Sequence, residues 1–179
     1  MIKKLDLNQL MAALHELDGE LDGKTVIVRA VGGFALAWHN VRSDGLTADV
    51  DSLTDDYSPD VQKAIAKVGE RRGLDKWWLN NDVAADDAQW IIDSYGLSWE
   101  LVDDGFSKIV LYVADLESLL TLKLVACEDG ALSGRTHDLD DTIKLLIALD
   151  FTKEKFKREC SYMREEQPNA FRMICNAMW

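Results

Sequence analysis

Hydrophobic positions recur along this chain with two periods, and the switches between them mark out its elements. In residues 6–21, Leu7, Leu10, Leu14 and Leu17 stand at helical spacing, with Asp6 or Asn8 as the cap and Gly19 or Gly23 as the stop. Residues 25–31, from Thr25 to Val31, are β-branched and almost continuously apolar, as in a buried strand. Gly32–Gly33 breaks that run, and from Phe34 to His39 the composition turns helical. Residues 47–53 alternate in character and predict a second strand. Ser58-Pro59-Asp60 opens a helix, with Ser58 as N-cap and Pro59 in the first position. Val61, Ile65 and Val68 form its apolar face, and Arg71, Arg72 and Gly73 close it.

Further along, residues 84–95 predict a short helix. Strands over 97–102 and 108–114 are joined by Asp103-Asp104-Gly105, a hairpin signal. Helices over 116–125 and 138–149, and a partly helical stretch over 151–179, complete the chain. The order predicts an α+β fold: an α/β core over residues 1–115, and a helical C-terminal region over 116–179 packed on it.

Composition narrows the function. The net charge is −12, distributed unevenly: residues 151–179 carry six Lys/Arg against four Asp/Glu. An acidic body argues against extended DNA binding, because affinity for a phosphate backbone needs clustered Lys and Arg. The basic tail on this acidic body is open to RNA contact, but is read first as a solvated helix face. No apolar run approaches the roughly 18 residues of a membrane span, and Asp6 and Asn8 interrupt any leader-like start, so the expected location is cytoplasmic. Cys127, Cys160 and Cys175 are odd in number and widely spaced, which predicts free thiols rather than disulfides or a zinc site.

The chemistry concentrates between Val31 and Asp51. On a strand, residues i and i+2 face the same way, so Asp49 and Asp51 would present neighbouring carboxylates while Val50 packs inward. Two like charges held close call for a cation, and a divalent metal with hard oxygen preference satisfies them. A Gly-Gly step between strand and helix lets backbone approach a ligand, with the N–H groups of the next helix turned to an anion. The stretch from Asp49 to Asp60 does not fit a calcium loop, since Thr54 stands at the position that requires glycine. Trp77, Trp78 and Trp90 are candidates for stacking on a base, although core or interface roles are commoner. Asn80-Asn81-Asp82 follows as a candidate cleft wall.

An apolar strand, Gly32–Gly33, a short helix and then Asp49-Val50-Asp51 resembles the signature of the nucleotidyltransferase superfamily that includes DNA polymerase β. More narrowly, Gly32-Gly33-Phe34-Ala35-Leu36, then Arg42, then Thr47 to Asp51 are similar to bacterial AbiEii-like and minimal nucleotidyltransferase groups, which include toxins of toxin–antitoxin and phage-defence systems. Leu119 to Lys123 matches their Leu-x-x-Leu-Lys helix, and His137 to Asp141 resembles their Arg-Asp-x-x-Asp segment, with His137 where arginine is common. The link from Arg42 to Thr47 is a residue or two longer than usual.

The resemblance implies a nucleotidyltransferase-type mixed sheet flanked by helices. It implies Gly32, Gly33, Arg42 and Thr47 as nucleotide-binding residues, Asp49 and Asp51 as metal ligands, and Lys123 as a third member of the catalytic set. Asp82, Asp138 and Asp141 would support them. The implied cofactor is Mg²⁺ or Mn²⁺, the substrate an NTP, and the acceptor a hydroxyl on tRNA, protein or a small molecule, with an antitoxin as partner. Asp82, Glu100 and Asp115 compete for the third carboxylate that many members use as a base. Without a third acid the alternative is a module on the same fold that binds nucleotide or protein without catalysis.

Overall fold

A mixed five-stranded sheet organises the first 115 residues. The computed structural model describes residues 4–42, 46–55, 57–83, 88–133 and 137–179. It divides into two compact units, Met1–Asp115 and Leu116–Trp179. The fold is α+β, and no described helix is long and apolar enough to cross a membrane.

In the first unit, β1 (Leu5–Asp6) leads into α1 (Leu7–Glu20). Asp6 is the cap: its side chain accepts from the Gln9 N–H at 2.8 Å, and the Gln9 side chain accepts from the Asp6 N–H at 3.1 Å. The helix ends at Leu21, so neither Gly19, inside it, nor Gly23, beyond it, is its stop. Leu10, Leu14 and Leu17 are fully buried, as the spacing predicts. Asp18 on the same helix accepts the backbone N–H groups of Ser107, Lys108 and Ile109 at 2.6–3.1 Å. Burial alone would raise its pKa, but those donors together hold it below the ordinary carboxylate value.

The apolar run forms β2 (Val26–Val31), which passes directly into α2 (Gly32–Trp38) at the first glycine rather than at Phe34. The expected strand over 47–53 is broken. β3 (Leu46–Thr47) pairs with β1, and β4 (Val50–Ser52) pairs with β2, because the chain changes partners at Ala48–Asp49. Asp49 therefore lies just before β4 rather than within a strand.

α3 (Pro59–Arg72) begins at proline and ends at Gly73 in the left-handed region, φ 63°. Ser58 occupies its cap position but makes no capping bond there. β5 (Leu79–Asn80), α4 (Ala88–Tyr95), β6 (Trp99–Val102) and β7 (Ile109–Ala114) follow; residues 84–87 of the expected helix lie outside the described residues. β6 and β7 are antiparallel, though residues 103–108 make the connection longer than the Asp-Asp-Gly turn suggests. The sheet order is β5-β4-β2-β7-β6, with β2 parallel to β7 and β4 parallel to β5. Val28, Ala30, Leu111 and Val113 are fully buried along its two central strands.

The second unit is all helical: α5 (Leu116–Ser133), α6 (His137–Ala148), α7 (Lys153–Glu159), α8 (Met163–Glu166) and α9 (Pro168–Met178). α5 runs past the expected end at Val125. Glu128 on α5 caps α9, accepting from the Ala170 N–H at 2.7 Å and from Asn169 Nδ2 at 2.8 Å. Phe156 is fully buried, with Phe171 stacked on it at a ring separation of 5.4 Å and Trp179 tilted against it at 5.6 Å. The three cysteines are free, and burial pushes the Cys127 and Cys160 thiols up to about 11, which makes them poor nucleophiles.

Candidate functional site

The site is assembled where β2 ends. Gly32 adopts φ 59°, a left-handed conformation that glycine takes without strain. A Cβ there would run into the Asp51 carboxylate, so the missing side chain is what lets this acid lie against the turn. The register explains the meeting, since Val31 pairs with Asp51 across β2 and β4. At Gly33 a Cβ would overlap the Thr47 hydroxyl and stand 2.8 Å from the Arg42 guanidinium. The two glycines thus touch Asp51, Thr47 and Arg42, residues that are 9–19 positions away in the chain.

Secondary bonds fix these side chains. Thr47 Oγ1 donates to the Asp49 carbonyl at 3.4 Å, across the two-residue break between β3 and β4. Arg42 Nη1 donates to the Leu46 carbonyl at 3.3 Å. Val50 is fully buried and its N–H donates to the Trp78 carbonyl at 2.7 Å, anchoring β4 to β5 between the two acids. Asp51 also receives Asn80 Nδ2 at 3.3 Å, because Asn80 is its register partner on β5.

The electrostatics are unbalanced. Burial, then the Asp51 charge, pushes Asp49 up to about 6. Arg42 opposes this, while Asp82 and Asp75 add to it. Protonation at higher pH than usual is one answer to such crowding; a divalent cation is another. Among the described residues no three Asp, Glu, His or Cys side chains are grouped to enclose a metal. The donor set fits an ion held by two carboxylates and completed by substrate phosphate and water, the common arrangement for Mg²⁺.

The three candidates for a third acid separate. Asp82 is exposed, its N–H donates to Asn80 Oδ1 at 3.0 Å, and its charge is one of those that raise Asp49. Glu100 is exposed on β6, the sheet edge opposite β5. Asp115 leaves β7 at the end of the sheet where Gly32 leaves β2, since those strands are parallel. The place beside Asp51 on the neighbouring strand is taken by an amide, Asn80.

Lys123, Asp138 and Asp141 form a separate cluster inside the helical unit. Lys123 Nζ lies 2.8 Å from Asp138 Oδ1 and 3.1 Å from Asp141 Oδ2, and all three side chains are no more than 13% exposed. The lysine bridges α5 to α6 rather than reaching for water. Asp138 Oδ2 is buried with no hydrogen-bond partner, and His137 Nε2 stands 3.6 Å from it.

Sequence reasoning passed over Asn80 as a partner of Asp51, and Gln62 altogether. Together with Tyr57, Trp77, Leu79 and Asp82 they line a pocket of about 270 Å³. Trp78 belongs to the core, its indole N–H donating to the Ile65 carbonyl at 2.9 Å, and Trp90 is exposed on α4. Comparison with protein-family models, curated proteins and solved structures finds no match to this chain.

Proposed function

We propose that this protein is a Mg²⁺- or Mn²⁺-dependent nucleotidyltransferase that moves a nucleoside monophosphate from an NTP to a hydroxyl on RNA, protein or a small molecule. The observation that carries this reading is the contact of Gly32–Gly33 with Asp51, Thr47 and Arg42, beside an Asp49 raised to about 6. A metal bound there would neutralise charge on the transferring phosphate and position the attacking oxygen. Asp49 and Asp51 would supply its carboxylate ligands. By lacking Cβ atoms, Gly32 and Gly33 let Asp51, Thr47 and Arg42 close on the turn where the triphosphate would lie, and Arg42 offers a guanidinium fork to its oxygens. Thr47 holds the approach to Asp49 in place.

In the transfer, the acceptor oxygen bonds to the α-phosphorus, the bond to the β-phosphate oxygen breaks, and pyrophosphate leaves. The hydroxyl proton needs an acceptor, and Asp82, one of the acids whose charge raises Asp49, is the candidate that the resemblance also implies. Lys123, Asp138 and Asp141 act in this reading by holding α5 to α6, with Lys123 in a positioning rather than a catalytic role. The fold would be of nucleotidyltransferase type, and an antitoxin partner follows from the resemblance to toxin groups.

Asn80 beside Asp51 favours a second reading, a module that binds nucleotide without transferring it. Incubation with α-³²P-labelled NTPs, Mg²⁺ and total RNA or protein separates the two. Transfer that disappears in Asp82→Asn while NTP binding persists supports the enzyme and its base. Binding without transfer, in every acceptor pool, supports the module.

A further inference from the structure

The pocket lined by Gln62, Trp77, Asn80 and Asp82 has no role in the proposed phosphate and metal contacts, and its walls suit one kind of ligand. We infer that it receives the base of the bound nucleotide, stacked on Trp77 and met at its edge by Gln62. This rests on the nucleotide reading above. The Trp77 indole is half exposed, which is unusual for so large an apolar ring. The Trp77 backbone N–H donates to Asp75 Oδ1 at 2.9 Å, which fixes the main chain beneath the ring, and the Lys76 ammonium rests over one face of the indole, 5.2 Å from its centroid. An indole exposed at a pocket wall is a stacking platform for any base.

Asn80 joins this pocket to the acid pair, since it lines the pocket and at the same time donates to Asp51 at 3.3 Å. Phosphates at Gly32–Gly33 therefore place the remainder of the nucleotide next to this opening. At about 270 Å³ it falls just below the roughly 300–1,000 Å³ of sites that enclose a whole drug-sized ligand, and suits one ring system.

The polar lining adds selectivity. Gln62 Nε2 donates to the Tyr57 carbonyl at 2.9 Å, which orients the amide and leaves its carbonyl oxygen as an acceptor toward the ligand. An acceptor there favours bases with an exocyclic amino group, namely adenine, guanine and cytosine, over uracil. Asn80 contributes no such readout, because its amide already serves Asp51, the Trp77 carbonyl and the Asp82 N–H.

The test is calorimetric titration of the full chain with Mg²⁺ and each of ATP, GTP, CTP and UTP, set against inorganic tripolyphosphate. Wild type should bind at least one amino-bearing nucleotide roughly tenfold or more tighter than tripolyphosphate, with UTP the weakest of the four. Trp77→Ala should bring that nucleotide to the level of tripolyphosphate and leave tripolyphosphate itself unchanged; Trp77→Phe should recover most of the margin. Gln62→Leu, an exposed position on α3, should erase the disadvantage of UTP while keeping the stack. A margin that survives Trp77→Ala, or no margin in wild type while tripolyphosphate binds, overturns the base pocket and spares the phosphate site. Failure of every nucleotide and of tripolyphosphate to bind overturns the nucleotide reading, and the pocket with it.

Discussion

Two groups of carboxylates in this protein face opposite circumstances. Asp138 and Asp141 are almost fully buried, and each lies within 3.1 Å of one lysine ammonium. Asp49 and Asp51 are only half-buried, yet Asp49 is raised to about 6, since Arg42 does not outweigh burial and the charge of Asp51. The first group has its counter-charge built into the chain. In the second, Asp51 lies against Gly32 and its charge adds to the burial that raises Asp49. A buried pair completed by its own chain is part of the framework, whereas crowded acids, one of them with a raised pKa, mark the place at which we propose an external cation.

The sharpest way to break this contrast is to remove the internal cation. Lys123→Met removes the cation shared by two buried carboxylates and should cost about 3–5 kcal/mol in chemical denaturation at pH 7. A loss below 1 kcal/mol would show that Lys123 is no structural bolt.

Gly32→Ala attacks the other group through its backbone. The φ of 59° and the collision with Asp51 together predict a loss of about 2 kcal/mol. A thermal melt of this variant that matches wild type would contradict the close approach.

Asp49→Asn should act in the opposite direction and more weakly. A carboxylate whose folded pKa is raised from 3.8 to about 6 favours the folded state when protonated. Its ionisation costs stability increasingly as pH rises from about 4 to 6, and the full cost persists above that. Removing the charge should therefore stabilise the metal-free protein at pH 8 by about 1 kcal/mol, after allowance for solvent screening of a half-exposed group, and leave it unchanged near pH 3. Equal stability of variant and wild type at both pH values would remove the argument for crowding.

Much of this contrast was legible in the sequence, and the gaps have physical causes. The strand ending at Gly32–Gly33 and the acids at 49 and 51 were visible because an apolar run, a glycine break and short-range spacing are local signals. The position of Asp49 was misjudged, because the alternation over 47–53 does not reveal that the chain changes sheet partners at Ala48–Asp49. Two-residue strands such as β5 carry no periodicity, so Asn80 as the neighbour of Asp51 depended on tertiary pairing alone. Gln62 joined Trp77 at the pocket for the same reason: α3 and the chain before β5 meet only in the folded protein. The Lys123–Asp138–Asp141 cluster was named from resemblance; its closed, paired geometry could not be read from spacing.

The central claim is that Asp49 and Asp51 await a metal-bound nucleotide, and thermal unfolding with each NTP, with and without Mg²⁺, tests it most directly. A ligand that binds only the folded state raises the midpoint by mass action. The account predicts a rise that requires both NTP and Mg²⁺ and vanishes in Asp49→Ala/Asp51→Ala. A midpoint unmoved by any nucleotide, or a shift that persists in the double variant, would contradict it.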